Sequence, residues 1–326
     1  MISFLVKGKR GCSKYIFYRN FNAFNMPSIK TWVIVVRLPT IILSISSIIM
    51  GTALAVWSGK WDISVGILAG ITASLLQIIA NLANDYGDFL HGAGVGARVN
   101  NTQAVSQGSV NLKQIRVAIF CLVGLTIVCG IILLHLADLP KNTFIQFILL
   151  GVIAIIAAIT YTMGPKPYAY IGLGDVSLFI FFGLVGVLGT AYLHTKIWNT
   201  AYLLPALTCG CFSVAVLNLN NIRDIDEDAP IGKKTLVVRI GRKAALYYQW
   251  ALLVMGILGA IIFTAQHYHR PIQWIFLAAL PQLVQSGMLT MRLPVNQLDP
   301  LLQRLVMAQL SFVLLFSIGL VLSCDC

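Results

Sequence analysis

The sequence predicts an all-α integral membrane protein, a bundle of nine transmembrane helices, and three observations carry that expectation. Of the 326 residues, 58% are hydrophobic and only 10% charged, whereas soluble domains carry about a quarter charged residues. Apolar runs of about 20 residues, enough to cross the hydrocarbon core, recur nine times and leave no room for a soluble domain. With nine crossings, one side of the membrane holds only Lys60, Lys141, Lys196 and Arg270, and the remaining 19 of 23 cations lie on the other. The positive-inside rule makes that second side, with the N-terminus, cytoplasmic. The net charge of +12 then follows from topology and attraction to the anionic headgroups of the bilayer, and no nucleic acid is needed to account for it.

In chain order, residues 1–25 carry Lys7, Lys9, Arg10, Lys14 and Arg19 without one acid. They lack the apolar core and cleavage site of a signal peptide, and a disordered basic extension is expected there. Met26 is a candidate start for the single transmembrane domain, 26–326. Spans are expected at 38–57, 63–83, 117–137, 143–163, 174–193, 199–217, 245–265, 272–290 and 302–323. The first follows the cations Lys30 and Arg37. The second and sixth run out into polar tracts, while the third and fourth are plainly apolar. Gly183 with Gly186 in the fifth, and Gly256 with Gly259 in the seventh, are small residues at helical intervals that let backbones approach closely in lipid. Pro281 should kink the eighth, because proline removes a backbone donor and crowds the preceding turn. The seven cysteines show no paired CxxC elements and no histidine at zinc-ligand spacing, so they read as core or tail thiols.

Six of the eleven acids sit in two short tracts, Asp85 with Asp88 and Asp224, Asp226, Glu227 with Asp228. Carboxylates at a membrane edge are expensive and functional by default. If the helices continue at 3.6 residues per turn, Asn81, Asn84, Asp85 and Asp88 share one face, as do Asn221, Asp224 and Asp228. By parity both tracts lie on the cytoplasmic side, in corresponding places on two spans, and an internal repeat of four helices would let them face each other across a cavity. Oxygen ligands without Cys or His suit Mg²⁺, which is usually held by a few carboxylates together with substrate phosphates. A magnesium diphosphate is the expected guest. Cations that would hold its remaining charge are Arg223, Lys233, Lys234 and Lys166, the last being the only base in the loop Tyr161-Thr162-Met163-Gly164-Pro165-Lys166-Pro167-Tyr168. Asp175, opening the fifth span, is either a helix N-cap or a site residue.

At these residues the chain resembles the UbiA-type intramembrane prenyltransferases, and among them the branch acting on 1,4-dihydroxy-2-naphthoate in menaquinone synthesis. The resemblance runs from about residue 30 to the C-terminus. It rests on Asn81 to Asp88, on Tyr161 to Asp175, and on Asn220 to Asp228 continuing into Gly232-Lys233-Lys234-Thr235-Leu236. It implies nine helices around a central cavity, a polyprenyl diphosphate donor, Mg²⁺ dependence, and loss of CO₂ and diphosphate to give demethylmenaquinol. It further implies a bacterial inner membrane with the active site facing the cytoplasm. Asp85, Asp88, Asp224 and Asp228 are the implied metal ligands, with Lys166 and Asp175 also catalytic. Asn81, Asn84, Tyr161, Arg98, Asn221, Arg223 and Lys233 are the implied substrate contacts. The chain departs from the family pattern at Gly94 and Gln103, where an Asp and an Arg are usual. Rival readings are transfer to another aromatic acceptor such as 4-hydroxybenzoate, a secondary transporter, whose coupling acids lie nearer the midplane, and a catalytically weakened relative.

Overall fold

The structure is a computed structural model that describes residues 28–91 and 110–324. Among these residues it has nine helices long and apolar enough to cross a membrane. We number them α1 (Leu38–Trp57), α2 (Ile63–Leu90), α3 (Leu112–Leu136), α4 (Lys141–Thr160), α5 (Gly174–Thr195), α6 (Thr200–Asp228), α7 (Leu236–Gln266), α8 (Pro271–Arg292) and α9 (Asp299–Val321). The expected spans fall on them one for one. The basic extension, Met26, Arg98, Gly94 and Gln103 lie outside the described residues.

Two helices outrun the C-terminal ends of their expected spans, and α7 begins at Leu236, ahead of its own. α2 continues to Leu90 and α6 to Asp228, so both acidic tracts are helical. Hydropathy falls at Asn81 and Asn218 because the residues turn polar, but the helical hydrogen-bond ladder has no reason to stop there. In α8 the expected disturbance at Pro281 takes the form of a change of helix type. A 3₁₀ segment, Pro271–Ala279, gives way to an α-helix, Leu280–Arg292, whose first turn holds the proline, where a missing N–H costs nothing.

The main core lies among α1 and α5 to α9, around the fully buried Phe212, Phe263, Phe276, Phe312 and Phe316. By contrast α4 buries no residue fully, and α3 exposes Phe120, Val128 and Ile132. Such faces suit hydrocarbon; α3 packs Ile115, Ile119, Leu133 and Leu134 into two smaller cores, and the inner sides of α3 and α4 also wall a hollow. At the end of the bundle away from the acids, the Asp62 carboxylate caps α2 by accepting from the Ser64 and Val65 amides at 2.7 and 3.3 Å. Those amides hold the Asp62 carboxyl below its ordinary range.

Candidate active site

A short helix, Ile29–Val36, precedes α1 and ends at Arg37 in the left-handed region, φ 53°, uncommon for a residue with a side chain. Asn81 steadies this break: its amide donates to the Val36 carbonyl at 2.7 Å and to the Thr40 hydroxyl at 2.8 Å. The turn aims the Arg37 guanidinium at Asp85 Oδ1, with which it forms an ion pair. Asp85 Oδ2 is buried without a hydrogen-bond partner in the protein. Two residues further on, Gly87 lies so close to the Thr162 carbonyl that a Cβ would strike it. The Thr162 hydroxyl closes this approach by donating to the Ala83 carbonyl at 2.9 Å. The α4–α5 loop is thereby pressed against the first tract.

In the second tract Arg223 holds both oxygens of Asp224, at 2.6 and 2.7 Å, and reaches Asn220 at 2.9 Å and Asp299 at 3.0 Å. Beyond α6 the chain turns at Gly232, φ 79°, a conformation glycine adopts without steric cost. This brings Lys233 back on the tract: its amide donates to the Asp228 carbonyl at 3.0 Å, and its ammonium stands 3.2 Å from Asp228 Oδ1. Burial works to lower the pKa of Lys233, but the charges of Asp88, Asp228 and Asp224 outweigh it and raise the pKa, so the ammonium keeps its proton. Asp228 Oδ2, like Asp85 Oδ2, is buried and unpartnered.

The tracts meet at one end of the bundle. The Tyr170 hydroxyl donates to Asp88 Oδ1 at 2.8 Å, and the Lys233 ammonium stands 5.6 Å from the centre of the same ring. Behind this junction a cavity of about 540 Å³ opens into the bundle. Its polar mouth carries Arg37, Asn81, Asn84, Asn221, Asp175 and Lys233, and its depth is apolar, with Leu43, Ile48, Leu133, Phe147 and Phe182. Tyr161, stacked edge-on against Tyr168 with ring centres 5.3 Å apart, lines the wall between; burial pushes the Tyr161 hydroxyl's pKa up. Asp175 sits in the first turn of α5, whose N-cap is Leu173 without a side-chain bond, so of its two expected roles the cap is not observed. The Tyr248 hydroxyl stands beside its carboxylate, and Asp175 Oδ1 is buried without a partner.

The donor set fits Mg²⁺ shared with a phosphate. Among the described residues no three His, Cys, Asp or Glu groups stand close enough to cage a metal unaided. Buried carboxylate oxygens nonetheless lack partners at the ends of both α2 and α6, and Mg²⁺ characteristically takes one or two carboxylates and completes its shell with phosphate oxygens and water.

Of the expected site residues, Asp88, Asp228 and Lys233 converge directly, and Asn81, Asn84, Asn221, Tyr161 and Asp175 line the cavity. Asp224 and Arg223 occupy each other. Lys166 stands apart: it is exposed, on the turn between Pro165 and Pro167, and lines no part of the cavity. The place expected for its charge is taken by Arg37 and Lys233. Three site residues were not anticipated. Arg37 counted only toward topology, although a cation at the start of a helix opposes the helix dipole and so signals a role there. Tyr170 and Tyr248 gave no signal, because aromatic residues are ordinary in apolar helices and loops.

A model of the UbiA prenyltransferase family matches residues 44–297. The 1,4-dihydroxy-2-naphthoate octaprenyltransferase of Escherichia coli (strain K12) is 41% identical over 295 residues, 90% of this chain and 96% of that protein. The protein of the same name from Haemophilus influenzae is 36% identical, with the same coverage. Among solved structures, an apo UbiA homologue from Aeropyrum pernix K1 superposes with a TM-score of 0.64 at 16% identity, covering 86% of this chain and 97% of that one. A homologue from Archaeoglobus fulgidus bound to GPP and Mg²⁺ gives 0.62 at 10% identity, covering 89% and 99%.

Proposed function

The chain belongs to the UbiA prenyltransferase family, and from that premise we propose that it transfers a polyprenyl group from polyprenyl diphosphate to 1,4-dihydroxy-2-naphthoate. CO₂ and diphosphate leave, and demethylmenaquinol is formed. The observation that carries this reading is the pair of buried, unpartnered carboxylate oxygens on Asp85, held by Arg37, and Asp228, held by the Lys233 ammonium, at the ends of α2 and α6 beside the polar mouth of an apolar cavity. A prenyl diphosphate has the matching halves, a charged headgroup that takes metal and an oily tail.

Asp85, Asp88, Asp224 and Asp228 would hold Mg²⁺, whose positive charge would make diphosphate a better leaving group. Lys233 and Arg37 hold further positive charge where negative charge develops as the carbon–oxygen bond ionises, the kind of preorganised stabilisation that contributes most to many enzymes. Arg223 joins them if the incoming diphosphate releases it from Asp224, and Arg98 is a further proposed contact of the headgroup. The apolar depth keeps water from the allylic cation. Tyr161 and Asp175 orient the acceptor, Asp175 Oδ1 accepting from a ring hydroxyl. The ring carbon bearing the carboxyl group attacks, and the carboxylate departs as CO₂, its bonding pair restoring the aromatic ring.

The protein would lie in a bacterial inner membrane, its N-terminus and this mouth on the cytoplasmic side, where the cations concentrate. The test is direct: purified protein in detergent, Mg²⁺, a polyprenyl diphosphate and carboxyl-labelled dihydroxynaphthoate, read by product mass and released label. Prenylated product with stoichiometric CO₂ supports the reading; no product, or product only with 4-hydroxybenzoate, overturns it.

A further inference from the structure

Tyr170 belongs to no acidic tract and lines no part of the cavity, yet both halves of the site close on it. Its hydroxyl donates to Asp88 Oδ1 at 2.8 Å, a bond buried from solvent. One side of its ring meets the imidazole of His91 at 4.9 Å between centres, and the Lys233 ammonium stands 5.6 Å from the ring centre. Its carbonyl accepts the Lys234 amide at 2.9 Å. The side chain is thus tied to the end of α2, and the main chain to the segment that turns Lys233 back on α6. The 3₁₀ turn Tyr168–Ile171 that presents it is itself pinned, because Arg239 donates to the Ile171 carbonyl at 2.8 Å and to the Lys234 carbonyl at 3.1 Å.

We propose that Tyr170 is a positioning residue: its phenol fixes the Asp88 carboxylate for the cation while its ring seats Lys233, so that the two tracts grip one diphosphate in a single geometry. This rests on the prenyl diphosphate reading above. A carboxylate in a largely apolar site rotates freely unless one oxygen is tied, and tying Oδ1 directs the second oxygen outward. Partners of this kind, one bond behind a ligand, typically govern metal affinity or activity by about 10- to 100-fold when removed. The contacts also separate the two duties. The hydroxyl serves Asp88 alone, and the ring serves Lys233 and His91.

The experiment uses the full chain in detergent, Mg²⁺ with inorganic pyrophosphate as the probe, and calorimetry as the readout, with turnover and unliganded Tm measured alongside. Tyr170→Phe is expected to raise the Mg²⁺ concentration giving half-saturation about tenfold or more, to lower the unliganded Tm only modestly, since Asp88 Oδ1 loses one buried donor, and to leave the acceptor KM unchanged. Turnover should recover as Mg²⁺ is raised. Tyr170→Leu, which removes the ring as well, should lose turnover that added Mg²⁺ does not restore. Unaltered Mg²⁺-pyrophosphate binding by Tyr170→Phe overturns the proposal, as does a fall in affinity that only tracks a fall in unliganded Tm. If Tyr170→Leu does not fold, Tyr170→Phe alone decides. Failure of the native protein to bind Mg²⁺-pyrophosphate would instead overturn the diphosphate reading itself, and an acceptor other than the naphthoate would leave the Tyr170 result standing.

Discussion

Replacing Lys233 by methionine keeps most of the side-chain length and removes the charge. The ammonium lies 3.2 Å from Asp228 Oδ1, and the two side chains are only 13% and 7% exposed, so solvent and salt screen it little. Ionisation of the donor moves about one unit of negative charge onto the diphosphate. At about 4 Å and an effective dielectric near 20, a unit pair interacts by ~4 kcal/mol. If the ammonium meets half to all of the new charge, its loss costs about 2–4 kcal/mol of transition-state stabilisation, or ~30- to 1000-fold in rate. The substitution also strands Asp228 as a buried, unpaired acid, which costs on the order of 3–5 kcal/mol of stability, so rate and Tm must be read together. The assay is single turnover at saturating donor and Mg²⁺, with Lys233→Arg as the variant that retains charge. This electrostatic role should make Lys233→Met slow and less stable and leave Lys233→Arg within about tenfold of native. A folded Lys233→Met that turns over within threefold of native at saturation would refute it.

Asp85→Asn should lower kcat by about 10²–10³, the scale set by losing one preorganised stabilising group, and raise the Mg²⁺ requirement; Arg37→Met should lower kcat without moving that requirement, which a Mg²⁺ titration of initial rates will separate. Lys166→Ala should change kcat/KM for the donor less than threefold, in contrast to Lys233→Met, since its side chain is exposed outside the cavity; a loss comparable to that of Lys233→Met would show that the loop folds inward during turnover. Asp62 supplies the pH test: its folded pKa is depressed by the Ser64 and Val65 amides, so the stability its charge confers is present above the unfolded value of about 3.9 and is lost as pH falls through the lower folded one. The Tm gap between native protein and Asp62→Ala should therefore hold steady from pH 7 to about 5 and shrink toward pH 2, and a gap that grows on acidification would contradict the sign.

The spans were legible because hydrocarbon imposes a length and a composition on every crossing. The helical character of the tracts was legible through the recurrence of Asn and Asp at offsets of three and four. Their common end followed from parity alone. Arg37 was hidden because its function depends on a left-handed break that only Asn81, 44 positions away, makes tolerable. Tyr170 and Tyr248 were hidden for a related reason. A phenol in the membrane reads as bulk until its hydroxyl is seen on Asp88 or Asp175. Lys166 stands apart from its expected place, since a lone base beside a tyrosine-rich loop looks functional, whereas here it is exposed between Pro165 and Pro167, outside the cavity.

The convergence of the two tracts on one diphosphate is tested most directly by anomalous diffraction from crystals grown with Mn²⁺ and a non-hydrolysable prenyl thiodiphosphate. The predicted result is metal density within about 2–2.5 Å of carboxylate oxygens from both α2 and α6, with the Lys233 ammonium against the diphosphate. Metal held by one tract alone, or a headgroup bound at the opposite end of the bundle beside Asp62, would contradict it.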